Sequence, residues 1–211
     1  MKRRKVENLM ALAVLSAVAF KPMHPYEMAG ALRGWGKDND VPIKWGSLYT
    51  VVRNLAKHGM LEEVGSAREG RRPERTVYRI TDAGREELLD WTRELLSAVE
   101  REFPRFRTGL SVLSVLPPDE ATTLLQQRLA ALEAEIAAVG ADLDRDRREV
   151  PRLFLVEVEY GQAILAAEAA WVRSLLEDLT SGALPELDAW RQAHETGQIP
   201  PDMVDLADNQ L

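Results

Sequence analysis

The spacing of apolar residues between positions 125 and 143 constrains the fold of this chain more than any other feature of its sequence. Six apolar residues in this stretch follow one another at intervals of 4, 3, 4, 3 and 4: Leu125, Leu129, Leu132, Ile136, Val139 and Leu143. This heptad pattern is typical of a long helix that packs along a second helix. The sequence therefore predicts a helix over about 119–148 whose apolar stripe needs a partner.

A second long helix, predicted over 152–181, provides that partner. It follows Pro151 after a short junction, which favours an antiparallel hairpin, and it carries an apolar stripe of its own. Because a hairpin alone leaves part of both stripes uncovered, we expect a second copy of the chain to cover the rest. The residues predicted to form this dimer interface are Leu125, Leu129, Leu132, Ile136, Val139, Leu153, Val156, Tyr160, Ile164, Trp171 and Leu175.

The first hundred residues have shorter elements. We predict helices over about 6–20, 26–32 and 47–59, strands over 60–64 and 76–80, and a helix over 82–100. These are the components of a winged helix-turn-helix with a small two-stranded β wing. The predicted fold class is mainly α, with this DNA-binding domain over 1–92, an antiparallel, coiled-coil-like helical dimerisation domain over 93–184, and a short helix with a loose tail over 185–211.

The net charge divides along the chain. Residues 1–85 hold 16 Lys+Arg against 9 Asp+Glu (net +7), and residues 86–211 hold 11 against 25 (net −14), which together give the formal net charge of −7. A basic segment joined to an acidic one is typical of separate DNA-binding and protein-binding halves. The chain has no cysteine, which excludes disulfides and thiolate chemistry, so we expect a cytoplasmic protein.

The third predicted helix is the candidate recognition helix. Leu48, Val51, Val52 and Leu55 supply its inner face, Ser47 can cap its start, and the opposite face carries side chains able to donate hydrogen bonds to DNA. We predict DNA contacts from Lys44, Ser47, Tyr49, Thr50, Arg53 and Lys57. A solvated helix face would show similar polar residues, so this helix does not establish DNA binding by itself.

The loop between the two strands is a second basic element. Its arginines alternate with glycines and a proline, a composition typical of a wing that lies along the DNA backbone or in the minor groove. The predicted contacts are Arg68, Arg71, Arg72 and Arg75. The alternative is a charge run that only keeps the chain soluble. Residues 2–5 are also basic and could form a flexible arm.

Several motifs resemble the PadR family of transcriptional regulators, in matching order over about residues 8–90. They are His24-Pro25-Tyr26-Glu27, where that family has His-Gly-Tyr-Glu, then Gly46-Ser47-Leu48-Tyr49, residues 55–61 (LAKHGML), Arg72-Pro73 and residues 78–84 (YRITDAG). The resemblance implies a homodimer, usually a repressor, that binds a palindromic operator and in some members is released by a small, often aromatic compound. Pro25 and the long loop over 34–44 depart from the family pattern.

The resemblance also implies roles for single residues. Ser47, Tyr49 and Thr50 would anchor the DNA backbone, Arg53 would read bases, and Lys44 would hold a phosphate. Tyr26 is expected to pack the second helix. Phe154, Tyr160, Trp171 and Trp190, with Trp35 and Trp45, are candidates for an effector pocket, although aromatics at helical spacing more often belong to a core or a dimer interface.

Other classes of function fit less well. The sequence has no nucleophile with a base, no metal-ligand spacing among His24, His58 and His194, and no phosphate-binding loop, so we expect no catalysis, metal or cofactor. A protein-binding adaptor would leave the arginine-rich loop without a role. Glu7 and Asn8 interrupt the apolar run that a secretory signal needs. The expected partners are double-stranded DNA, a second copy of the chain and a small-molecule effector, without a membrane.

Overall fold

The computed structural model describes residues 4–37, 45–67 and 75–198, and the chain divides into two compact units, one up to Arg101 and one from Glu102. The first unit contains α1 (Leu9–Phe20), α2 (Pro25–Gly34), α3 (Trp45–Lys57), β1 (Leu61–Ala67), β2 (Arg75–Ile80) and α4 (Asp82–Ser97). The second contains α5 (Arg105–Leu110), α6 (Pro118–Asp146), α7 (Val156–Ser181) and α8 (Leu187–Thr196). Helices with one small antiparallel sheet agree with the predicted fold class.

The first unit is organised around α1. Ala11, Val14, Leu15 and Ala17 are all fully buried although they lie on different sides of the helix, and α1 contacts α2, α3, α4 and β2. The sequence predicted one buried stripe on this helix, which is wrong because neighbouring elements surround it. A helix that is apolar on all sides is stable in water only when it is enclosed in this way.

The two strands form the base of the predicted wing. Leu61 pairs with Ile80 and Ala67 with Arg75, so both strands extend further towards the loop than the sequence predicted. The register shifts between Glu63 and Gly65, and Gly65 has a φ of 137°, which glycine adopts easily. This irregularity bends the ribbon where it leaves the core.

Gly84 packs the start of α4 against this ribbon. A Cβ at this position would lie 2.2 Å from the carbonyl oxygen of Met60 and 2.9 Å from the side chain of Ile80. The Thr81 hydroxyl caps α4 by accepting a hydrogen bond from the Gly84 amide at 3.1 Å, and it donates to the Gly59 carbonyl at 2.6 Å. A side chain at position 84 would therefore separate α4 from the strand ends.

Arg4 connects the N-terminal segment to α4 in the same unit. Its guanidinium is buried, makes ion pairs with Glu87 and Glu94, and lies 5.0 Å from the centre of the Trp91 ring. Burial alone would lower the pKa of Arg4, but the hydrogen bonds that its guanidinium donates to the two glutamates outweigh burial and raise the pKa. Arg4 is therefore a structural residue, and the flexible arm predicted over residues 2–5 is wrong at this position.

The second unit is built on the α6–α7 hairpin. Leu125 and Leu132 of α6 pack in one core with Val172 and Leu176 of α7, and Trp190 of α8 closes one end of that core. The Trp190 indole N–H donates to the carbonyl of Leu116 at 2.9 Å. The predicted heptad stripe on α6 thus packs largely inside the unit, and α8 belongs to the same body.

The connection between the two long helices, residues 147–155, consists of a turn at the end of α6 and a 3-10 turn over Arg152–Phe154. The predicted start of the second long helix at residue 152 is therefore too early. The carboxylate of Glu159 accepts hydrogen bonds from Arg152 at 3.0 Å and from Arg147 at 3.2 Å, and both contacts lower its pKa. These charges hold the hairpin connection to the first turn of α7.

Among the residues that the structure describes, no helix combines the length and the apolar character that crossing a bilayer requires.

The sequence placed the first domain boundary at 92/93, inside α4, whereas the two units divide after α4 has ended. The tail predicted to be loose lies outside the described residues from position 199 onwards.

Replacing Gly84 by alanine should destabilise the first unit. The new methyl group must displace backbone or the side chain of Ile80, and overpacking of this kind costs about 1–3 kcal/mol. Gly30→Ala in α2 is the matched control, because no atom lies within 4 Å of a Cβ there and alanine favours helix. Urea unfolding of both variants checks this expectation, and equal free energies of unfolding would contradict it.

Candidate nucleic-acid interface

α3 has one face in the core and one face in solvent. Leu48 and Leu55 are fully buried, and Val51 and Val52 are nearly so. The side chains of Ser47, Tyr49, Thr50, Arg53 and Lys57 are exposed, and all of them were predicted to contact DNA. Burial of one face fixes the helix on the domain, and the other face is free to enter a groove of DNA.

The start of α3 differs from the prediction. The helix begins at Trp45, so Ser47 lies in its first turn and does not cap it from outside. The Thr50 hydroxyl donates to the Gly46 carbonyl at 3.0 Å, which leaves its oxygen able to accept but occupies its proton. Thr50 is therefore a weaker phosphate donor than the sequence suggested, whereas Ser47 and Tyr49 remain suited to that role.

Arg53 lies in the middle of the exposed face, beside the root of the wing. Tyr78 of β2 hydrogen bonds to Glu63 of β1 at 3.5 Å. Burial and the Glu63 carboxylate raise the pKa of Tyr78, and the positive charge of Arg53 opposes that rise. Because α3 also packs against β1, the charge of Arg53 acts on the base of the β ribbon.

The tip of the wing and the residue before α3 are outside the described residues. Arg68, Arg71, Arg72 and Lys44 lie there, so their predicted DNA contacts stay predictions. Arg75 is the first residue of β2, and its side chain is not described. The described part of the wing carries an exposed ion pair between Arg79 and Glu62 at 2.7 Å.

The start of α2 explains why Pro25 can stand where the family motif has glycine. His24 caps the helix and Pro25 occupies the first helical position, where a missing N–H costs nothing and the fixed φ of proline suits the helix. Glu27 completes a capping box by accepting from the His24 backbone N–H at 2.8 Å. Tyr26 was expected to pack α2, but its side chain is 59% exposed.

The His24 ring also contacts α3. It lies edge-on to Tyr49, with ring centres 6.4 Å apart. From the sequence, His24 was considered only as part of a family motif and as one of three histidines without metal-ligand spacing. A glutamate three residues after a capping residue was the available signal for its role at the start of α2, whereas the contact with α3 required the structure.

The aromatic residues considered for an effector pocket have other surroundings. Trp35 packs edge-on against Phe20 at 5.5 Å, and Trp171 packs against Phe106 at 6.2 Å. Trp190 is buried in the core of the second unit, beside a cavity of about 250 Å³, which is smaller than the roughly 300 Å³ of a typical ligand pocket. Phe154 and Tyr160 are exposed.

The predicted dimer residues fall into two groups. Leu125 and Leu132 are buried within the second unit, and Leu129, Ile136 and Leu175 pack against the same core; Val139 is partly buried. Those that stay exposed are Leu153, Val156, Tyr160, Ile164 and Trp171. The exposed group is uncovered in a single chain, and the partly buried residues keep some exposed surface, so the predicted dimer contacts stay predictions.

Known proteins resemble this arrangement. The model of the transcriptional regulator PadR-like family matches residues 14–90. A search of curated proteins finds no match. Bacillus subtilis PadR in complex with operator DNA is similar to the chain with a TM-score of 0.68 and 17% identity, over 82% of this chain and 99% of that chain.

Two further solved structures share the fold. Bacillus subtilis PadR in complex with p-coumaric acid has a TM-score of 0.67 and 16% identity, over 82% of this chain and 99% of that chain. The Vibrio cholerae virulence activator AphA has a TM-score of 0.63 and 15% identity, over 82% and 98% respectively. With its buried and exposed faces on α3 and its β ribbon, the segment over residues 14–90 is therefore a PadR-like transcriptional-regulator domain with the winged helix-turn-helix fold.

Proposed function

We propose that this chain is a cytoplasmic, homodimeric regulator of transcription that places α3 in the major groove of a palindromic operator and represses the gene beside it. The observation that carries the proposal is the division of α3 into a buried apolar face and an exposed face with Tyr49, Arg53 and Lys57. Donors of these lengths suit phosphates and base edges.

Electrostatics support the same function. The segment up to residue 85, which contains α3 and the wing, has a net charge of +7. A cationic domain gains affinity for duplex DNA by releasing counterions from phosphates, and this affinity falls as salt rises. A protein-binding adaptor would not need this charge.

Arg53→Ala should weaken binding to a specific site more than binding to random DNA. We expect about 10-fold to 100-fold weaker binding to a duplex selected by the wild-type protein from a random pool, because a base-reading arginine contributes about 1–3 kcal/mol of discrimination. Fluorescence anisotropy on the selected duplex and on a scrambled duplex of equal length measures the difference.

Arg93→Ala is the matched control for this charge loss. Arg93 is exposed on α4 of the same unit and pairs with the carboxylate of Asp90, three residues earlier, at 2.9 Å. It should change both affinities slightly and alike. If Arg53→Ala has the same effect on the selected and scrambled duplexes, Arg53 does not read bases.

Dimerisation through α7 is supported by its uncovered apolar side chains. Tyr160 is 70% exposed and Trp171 is 49% exposed, and Ile164 lies between them on the same face. A continuous apolar stripe of this kind marks an interaction surface in a soluble protein. The symmetry of a palindromic site requires a two-fold pair of recognition helices, so a second copy of the chain is the proposed partner.

Ile164→Glu should shift the protein from dimer to monomer. A carboxylate buried in an apolar interface has no compensating partner, so we expect the dimer to be at least about tenfold weaker. Sedimentation velocity over a range of concentrations measures this. Ala166→Glu is the control that should leave the dimer intact, because Ala166 is exposed on α7 but lies two residues after Ile164, on another side of the helix. A wild-type protein that is monomeric throughout would refute the proposal.

The proposal includes release from DNA by an aromatic acid, supported by the fold shared with Bacillus subtilis PadR, whose structure with p-coumaric acid is known. We expect an aromatic acid of this class to lower the affinity for the selected duplex and to change tryptophan emission. Titration of p-coumaric acid and a panel of related acids tests this expectation. If no acid of the panel has any effect, the proposed effector release is refuted, whereas the proposed DNA binding is not. A reporter gene fused to the bound promoter tests the sign of regulation: repression lowers its expression, whereas activation, as in the name of the virulence activator AphA, would raise it.

A further inference from the structure

We propose that His24 is a positioning residue of the DNA interface, which holds the start of α2 and the side of Tyr49 on α3 with one imidazole ring. The ring does both only in its neutral form with an unprotonated Nδ1. This inference rests on the proposed function, because it concerns how the recognition helix is presented to DNA.

The contacts of His24 lie on two helices. Its Nδ1 accepts a hydrogen bond from the Tyr26 backbone N–H at 3.0 Å, and its own backbone N–H donates to Glu27 at 2.8 Å. Its ring meets the Tyr49 ring at an interplanar angle of 71°. The same side chain therefore satisfies an N–H at the start of α2 and limits the orientation of an exposed residue on α3.

The acceptor role fixes the protonation state of the ring. A neutral imidazole has one donor and one acceptor nitrogen, whereas the charged ring has two donors. Protonation would point an N–H of the ring at the N–H of Tyr26 and would add a positive charge at the positive end of the α2 dipole. Acid pH should therefore loosen the entrance of α2.

In the described part of the chain, the charged and titratable groups on the elements packed near His24 have contacts of their own. On α2, the Glu27 carboxylate is bound to the backbone N–H of His24. On α3, Tyr49 offers its ring. Beside His24, Met23 pairs with Tyr78 of β2, whose hydroxyl bonds to Glu63 of β1 and feels the charge of Arg53.

The contact with Tyr49 links His24 to DNA recognition. Tyr49 is 42% exposed and lies in the second turn of α3. The N-terminal residues of a recognition helix are the ones that approach bases and phosphates. A side chain held before binding loses less conformational entropy when it contacts DNA. Loss of the His24 ring should therefore weaken DNA binding even when α2 stays capped.

Asparagine at position 24 separates the two roles, because it is a good capping residue but has no aromatic ring. We expect His24→Asn to unfold in urea at nearly the wild-type midpoint, His24→Ala to unfold earlier, and His24→Asn to bind the selected duplex about threefold to tenfold more weakly. In a Tyr49→Ala background the same His24→Asn change should alter affinity less than about twofold. His58→Asn, at the end of α3, is the matched control and should behave as wild type.

Two readouts go beyond a structural role. The chain has three histidines, and the nitrogen-15 NMR signals of His24 are those that disappear in His24→Asn. At pH 8 these signals should show the ring proton on Nε2. Lowering the pH from 8 to 6 should weaken DNA binding of the wild type more than that of His24→Asn. A proton on Nδ1, equal DNA affinity of wild type and His24→Asn, or the same affinity change with and without Tyr49 would each overturn the inference. A wild-type protein that binds no duplex at low salt would instead overturn the proposed function.

Discussion

The enclosure of α1 is the constraint on which the first unit depends. Its side chains are buried in several directions, so α2, α3, α4 and β2 must all lie against it at once. In this packing, Leu48 and Leu55 of α3 face the core and Arg53 faces solvent. The position of the exposed donors is therefore a consequence of burying apolar surface elsewhere, since the hydrophobic effect outweighs any preference of the polar face.

A large part of this arrangement was predictable from the sequence. Periodicity, together with the prolines before α2 and the Thr81 cap before α4, predicted the four described helices of the first unit and both strands. The resemblance of the short motifs added the winged helix-turn-helix, which the family match over residues 14–90 bears out. Helix ends were less accurate: α3 starts at Trp45 and α7 at Val156, and both starts depend on local turn geometry more than on periodicity.

Features that depend on contacts between distant residues were not predictable. A basic residue in a run of four looks solvated, yet Arg4 is buried because Glu87 and Glu94, more than eighty positions away, neutralise it. The heptad stripe on α6 does not reveal which helix covers it, and Leu125 and Leu132 turn out to face α7 of the same chain. His24 and Tyr49 meet because two helices are packed together, and no spacing in the sequence indicates this.

The close contact of Gly84 with Met60 has a mechanical consequence. Thr81 is tied to Gly59 and Met60 on one side and to Gly84 on the other, so the first turn of α4 and the ends of both strands share one rigid joint. Such a joint has no slack to absorb a small rotation of α4. A rotation of α4 would therefore tilt the adjoining ends of β1 and β2, at the base of the ribbon, in the same step.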